Sequence, residues 1–268
     1  VTATLLAAEG RSLGRRPWIA GATALGVLLV VVAALVAAAH DGGARVDSYR
    51  AGVASMLLLL GMLVAVCLGA AAVNRDADSG YLGLLVAAGA PRPETALARV
   101  AGRVAALLAV LVVWGLALQV GSLALGLGLD GPLAVHTLTM AENLALVLLA
   151  AAAMSAVLGP VVSGIFGVAV FVFAQGFVNL QAASDQGLIG GWSDVVRAGY
   201  ILLPRAIGSP MIVDLQARGQ AGVAAPRFEV NQTIVHVPAA DWYSVLWTLL
   251  WCVVFAGLVV GAMRRRPL

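Results

Sequence analysis

The sequence predicts an all-α polytopic membrane protein with six transmembrane helices, and three observations carry that prediction. Hydrophobic residues make up 62% and charged residues 11% of the 268 positions, with a mean hydropathy of +0.99; soluble domains carry roughly 25% charged residues. A bilayer core about 30 Å thick is crossed by roughly 20 apolar residues in a helix, and runs of that kind recur along the whole chain. Every basic residue is an arginine, and the arginines gather at the ends of those runs.

Taken in order, residues 1–17 set Arg11, Arg15 and Arg16 around Leu5, Leu6 and Leu13, the pattern of a short interfacial helix. Pro17 and Trp18 then open the first span, 18–39, since proline suits a helix start and tryptophan the membrane surface. That run is longer than the roughly 7–15 apolar residues of a signal-peptide core, so a retained helix is expected. A turn with Asp41, Gly42, Gly43, Arg45, Asp47 and Arg50 leads to the second span, 51–73. Residues 74–103 form a charged connection, and the third span covers 104–127. Asp130, Gly131 and Pro132 close it, the fourth span is 143–158, and Gly159-Pro160 separates it from a fifth at 161–180. The sixth, 244–263, runs into Arg264, Arg265 and Arg266.

Residues 181–243 are too long for an idle loop and are expected to be structured. Their first part is apolar, yet Asp194, Arg197, Pro204 and Arg205 argue against a seventh span and for short helices at the membrane surface. Residues 227–237 are rich in β-branched side chains and suggest a strand pair.

Orientation follows from arginine. Arg11, Arg15 and Arg16, then Arg75, Arg92, Arg99 and Arg103, then the terminal triplet fall in three segments on one side; the connections 40–50 and 130–142 hold only Arg45 and Arg50. Positive-inside bias therefore places both termini and residues 74–103 in the cytoplasm, and an even number of spans is what two cytoplasmic ends require. The long 181–243 segment becomes extracytoplasmic.

Several functions are disfavoured by composition. Without lysine the chain cannot form a GxxxxGK[ST] phosphate loop, so it hydrolyses no ATP through that device. Arginines at helix ends do not make a nucleic-acid stripe. Cys67 and Cys252 sit alone in apolar runs, and His40, His136 and His236 are isolated in segments outside the spans, so no metal site is expected. With these boundaries no Asp, Glu, Arg or His stands at mid-depth in a span, which argues against an ion-coupled carrier. Asn143, Gln175 and Asn179 are polar residues within the spans. They are candidates to line a translocation pathway, and hydrogen bonding between helices is the equal alternative.

The most specific stretch is Asp76-Ala77-Asp78-Ser79-Gly80-Tyr81-Leu82-Gly83-Leu84-Leu85, followed by Gly89-Ala90-Pro91-Arg92 and Leu97-Ala98-Arg99. It resembles the connection between the second and third spans of type-2 ATP-binding-cassette (ABC) exporter permeases: acidic-x-acidic-x-Gly-x-Leu-x-Leu-Leu, a turn ending in Arg, and a small-basic step into the third span. Tyr81 stands where that family usually has threonine, Gly89 where it has the turn proline, and Ala98-Arg99 where it has Gly-Lys.

The resemblance implies one permease domain over 1–268, in a bacterial inner (plasma) membrane, whose 74–103 connection carries a cytoplasmic coupling helix. Asp76, Asp78, Ser79, Gly80, Tyr81 and Leu82 would face an ATPase subunit, Leu82 and Leu85 would be buried in its groove, and Arg92 and Arg99 would anchor the return to the membrane. It further implies two ABC ATPase subunits carrying ATP and Mg, a second permease, identical or homologous, and an outward-moving hydrophobic or amphipathic substrate. No cofactor, metal or catalytic residue is expected in this chain itself. The rival is a non-transporting transducer or scaffold that passes ATPase work to an extracytoplasmic partner through 181–243.

Overall fold

The computed structural model describes residues 2–73, 89, 91–218, 229–230, 233–235, 237, 239 and 241–265. Its elements are α1 (Thr2–Gly14), α2 (Pro17–Ala38), α3 (Gly42–Ala70), α4 (Arg92–Ala124), α5 (Gly131–Ser155), α6 (Pro160–Asp185), a 3-10 turn (Gly190–Trp192), α7 (Ser193–Leu202), α8 (Pro210–Ala217), β1 (Glu229–Val230), β2 (Thr233–Ile234) and α9 (Trp242–Arg265). Six of these, α2 to α6 and α9, are long and apolar enough to cross a membrane. The protein is thus an all-α multi-pass membrane protein, as the sequence predicts.

Prolines start helices throughout. Pro17, Pro93, Pro132, Pro160 and Pro210 each fall in the first two positions of α2, α4, α5, α6 and α8, where the missing N–H costs nothing and the ring presets φ. Three spans begin well before the expected boundary: α3 at 42 rather than 51, α4 at 92 rather than 104, and α5 at 131 rather than 143. The cause is the same in each. Polar residues that a hydropathy window reads as loop are tied to other helices instead of to water.

Helix α5 is the hub. It packs against α3, α4, α6, α8 and α9, and 61% of its apolar window is buried, against 17–39% for the other spans. Its run of Ala150, Ala151, Ala152 and Ala153 is fully or nearly buried, and glycine meets it from both sides. A Cβ on Gly167 of α6 would stand 2.8 Å from the Val147 carbonyl oxygen and 2.9 Å from the Ala151 methyl. On Gly69 of α3 a Cβ would collide with the Leu148 carbonyl. Small residues thereby let three backbones close in where apolar lipid offers no hydrophobic drive.

Polar ties reinforce the outer helices. Trp114 Nε1 of α4 donates to the Thr23 carbonyl of α2 at 3.1 Å, and Tyr49 Oη of α3 donates to Leu118 O of α4 at 2.8 Å. Helix α1 lies against α4 with Leu13 fully buried.

In the connection before α9, the apolar first part is broken into short pieces rather than a seventh span. Arg205 is buried at the turn after α7, its guanidinium 3.8 Å from the Tyr200 ring centroid and 4.8 Å from that of Tyr243. Thr248 Oγ1 donates to the Arg205 carbonyl at 2.7 Å and Trp247 Nε1 to that of Leu203 at 2.9 Å, so α9 holds this turn in place. The expected strand pair is present as β1 and β2, with Glu229 opposite Ile234 and Val230 opposite Thr233. Val235 and Val237 pack on Ala182 and Ala183 at the end of α6.

Candidate functional site

The bundle has two contrasting ends. One carries the described residues of 186–241 together with the start of α5 and the end of α6. The other carries α1 and the start of α4.

At the first end a cavity of ≈ 110 Å³ opens between α3, α5, α6 and α8. Helical spacing builds two of its walls: His136, Met140 and Asn143 stand at i, i+4 and i+7 on α5, and Phe171, Gln175, Val178 and Asn179 share one face of α6. The segment Ile207-Gly208-Ser209 and the α8 residues Ile212, Val213 and Gln216 form the third, while Leu58 and Val237 complete the lining. Among the described residues no Asp, Glu or Arg lines it.

The three residues proposed from the sequence as pathway-lining therefore share one cavity, but their roles differ. Asn143 is consumed by structure: its Nδ2 donates to the Ile207 carbonyl at 2.9 Å and its Oδ1 accepts from the Ile207 N–H at 2.8 Å. It pins the extended segment after α7 to the hub helix, a bond from a helix to a non-helical backbone rather than between two helices. Gln175 Nε2 donates to Asn179 Oδ1 at 3.1 Å one turn further along α6.

His136 and Ser209 were not anticipated as part of this site. Hydropathy places His136 on a surface connection, whereas it is buried in the second turn of α5, 7% exposed. Its Nδ1 lies 3.1 Å from Ser209 Oγ, and its Nε2 is buried with no hydrogen-bond partner among the described residues. Ser209 is the N-cap of α8, accepting from the Ile212 N–H at 3.3 Å. The Ser209-Pro210 pair was the available signal, a cap residue before a first-turn proline.

At the other end, Arg99 and Arg103 of α4 converge on Glu9 of α1. Arg99 Nη1 is 3.9 Å from Glu9 Oε2, Arg103 Nε is 3.7 Å from Glu9 Oε1, and Arg103 Nη1 donates to the Leu68 carbonyl of α3 at 2.6 Å. All three side chains are buried, Arg103 completely. Arg99, expected to anchor the return to the membrane, pairs with Glu9 of the amino-terminal helix. Arg92 occupies the first position of α4. Asp76, Asp78, Ser79, Gly80, Tyr81, Leu82 and Leu85 lie outside the described residues.

One expectation is overturned. With α5 beginning at Gly131, Glu142 stands at the middle of a membrane-length helix, its Oε1 buried and without a hydrogen-bond partner among the described residues. The absence of mid-depth ionisable residues followed only from starting that span at 143. Glu142 is not part of the cavity lining. Among the described residues no three His, Cys, Asp or Glu side chains come together as a metal site; Cys67 is exposed and Cys252 buried, both free.

No protein-family model matches the chain, and no curated protein matches it. What fold and site define is a class: a multi-pass membrane protein with six spanning helices, a polar cavity at one end of the bundle and a buried carboxylate–arginine cluster at the other.

Proposed function

We propose that this chain is the permease subunit of an ABC exporter, moving a hydrophobic or amphipathic substrate with ATP hydrolysed by separate subunits. The observation that carries the reading is the in-register run from Asp76 to Leu85 in the connection between α3 and α4. The arginines at that end of the bundle support a cytoplasmic placement, with both termini on the same side. The Glu9–Arg99–Arg103 cluster gives a mechanical route: force on the 74–91 connection reaches α4, and through it α1 and the α3 backbone at Leu68. Two such bundles would then shift between two packed arrangements as their ATPases close and open.

Affinity purification of the tagged chain from its native membrane tests this. An ABC ATPase should accompany the wild-type chain, and Leu82→Asp or Gly80→Trp should abolish its recovery without affecting membrane insertion. Retention of the ATPase by both variants would remove the coupling assignment.

Glu142 favours a second reading, an ion-coupled carrier, because a carboxylate at the middle of a spanning helix is the usual place to bind a proton or cation. The two are separated by the energy source. Uptake into inverted vesicles driven by ATP supports the exporter, and uptake driven by an imposed pH gradient without ATP supports the carrier.

A further inference from the structure

We propose that the cavity between α3, α5, α6 and α8 is a binding site for the uncharged carboxamide-type head of an amphiphile, with His136 Nε2 as its principal donor. The argument begins with an unsatisfied atom. A buried polar group without a hydrogen bond is costly, and His136 is 7% exposed with Nε2 unpartnered among the described residues while its ring lines the cavity.

We take the tautomer in which the Ser209 hydroxyl is the donor in its contact with His136 Nδ1. Ser209 Oγ already accepts from the Ile212 N–H, and the acceptor within reach of its own hydroxyl proton is His136 Nδ1 at 3.1 Å. Nδ1 is then the bare nitrogen and Nε2 the N–H, so the ring offers a donor. In the same lining, on α6, Gln175 Nε2 is engaged with Asn179 Oδ1, which leaves Gln175 Oε1 as an acceptor. Asn143 is spent on the Ile207 backbone and Thr139 Oγ1 on the His136 carbonyl. A donor on one wall and an acceptor on another match a carboxamide, whose C=O takes the histidine proton and whose NH₂ gives one to glutamine.

Size and charge narrow the ligand further. A cavity of ≈ 110 Å³ holds several waters but is well below the roughly 300–1,000 Å³ of sites enclosing drug-sized ligands. Only a head group enters, and the half-buried apolar rim of Leu58, Phe171 and Val178 is left to meet an alkyl tail. An ionised head is disfavoured because among the described residues no opposite charge lines the cavity. Binding itself does not depend on the permease assignment; that the ligand is also the transported substrate rests on that reading.

The test uses the full chain in lipid nanodiscs with ¹⁵N-labelled histidine, titrated with octanamide, octanoate and octylamine. His136→Phe assigns the resonances. Octanamide should shift the His136 ring nitrogens saturably, and octanoate and octylamine should not. Gln175→Leu, on the α6 wall, should weaken octanamide about three- to tenfold, the loss of one hydrogen bond, while His136 still reports. Unmoved nitrogens at saturating octanamide would mean that the cavity holds water alone, and equal shifts with all three amphiphiles would mean unspecific partitioning; either result overturns the proposal. Neither touches the ATPase co-purification, so the two readings fail separately.

Discussion

Arg50 and Asp130 meet edge to edge: Nε and Nη2 of the guanidinium each lie 2.9 Å from one carboxylate oxygen. Arg50 belongs to the first third of α3 and Asp130 is the N-cap of α5, where its Oδ1 also accepts from the Leu133 N–H at 3.2 Å. From α4, Gln119 clasps the Asp130 backbone, donating to its carbonyl and accepting from its N–H, both at 2.9 Å. One residue therefore joins three spans. Bidentate arginine–carboxylate pairing fixes direction as well as distance, so this junction sets where the hub helix begins and how far His136 stands from the end of the bundle.

Replacing Asp130 by alanine removes a cap worth about 1 kcal/mol and leaves the Arg50 guanidinium without its carboxylate, a loss of up to roughly 3–5 kcal/mol where the pair is buried. Arg50 keeps 21% of its side-chain surface, which moderates the second part. Asp130→Ala should destabilise by about 3 kcal/mol and Asp130→Asn, which can still cap, by less. Thermal unfolding in a fixed detergent ranks the two; equal losses would show that the charge pair contributes nothing beyond the cap.

Hydropathy made the spans legible, but it erased their polar ends. The stretches 42–50, 92–103 and 131–142 are helical because Arg50, Arg103 and Asp130 find partners on other helices, and nothing in a local window encodes a partner 35 or 80 positions away. The same error removed His136 and Glu142 from the membrane. Asn143, Gln175 and Asn179 could be singled out because amides inside an apolar run need a reason. What the amides do was not readable, since Asn143 is answered by the backbone of Ile207 in a segment with no periodic pattern. The β1–β2 pair, by contrast, follows from local β-branched content alone.

Glu142 provides a second prediction. A neutral isostere removes the cost of holding a carboxylate among spanning helices, so Glu142→Gln should raise the melting temperature by a few degrees, as a gain of about 1 kcal/mol would in a domain of this size. Under the exporter reading ATP-driven transport survives the change. Loss of transport together with loss of its response to a pH gradient would instead assign Glu142 to ion coupling.

Asp241 gives the acid limb. It precedes α9 and accepts from the Ser244 N–H at 2.8 Å; hydrogen bonds from the Ser244 hydroxyl and then its N–H hold the carboxyl below its ordinary value. A carboxylate depressed in the folded state stabilises fully above its unfolded pKa of about 3.9 and loses that contribution as pH falls through the lower folded value. Its exposure keeps the effect small. Amide exchange at the start of α9 should accelerate as pH drops through that window, after correction for intrinsic rates, and Asp241→Asn should flatten the response.

The last prediction concerns α1. Glu9 is the carboxylate on which Arg99 and Arg103 converge, and Leu13 is buried one turn further along the same helix. Glu9→Gln leaves two buried guanidinium groups with less negative charge than the fold places among them, and the loss should approach the roughly 3–5 kcal/mol of a broken buried pair. Because α1 packs chiefly on α4, with only a few contacts to α2, the cost should appear as local release rather than global unfolding. A maleimide should label Leu13→Cys, in a Cys67→Ser background, slowly with Glu9 present and much faster with Glu9→Gln. Combining Glu9→Gln with Arg103→Leu separates charge from packing. If the two act through one pair, the double variant should be less destabilised than the sum of the singles by more than about 0.5 kcal/mol, whereas strict additivity would mean that α1 is held by Leu13 and its apolar neighbours alone.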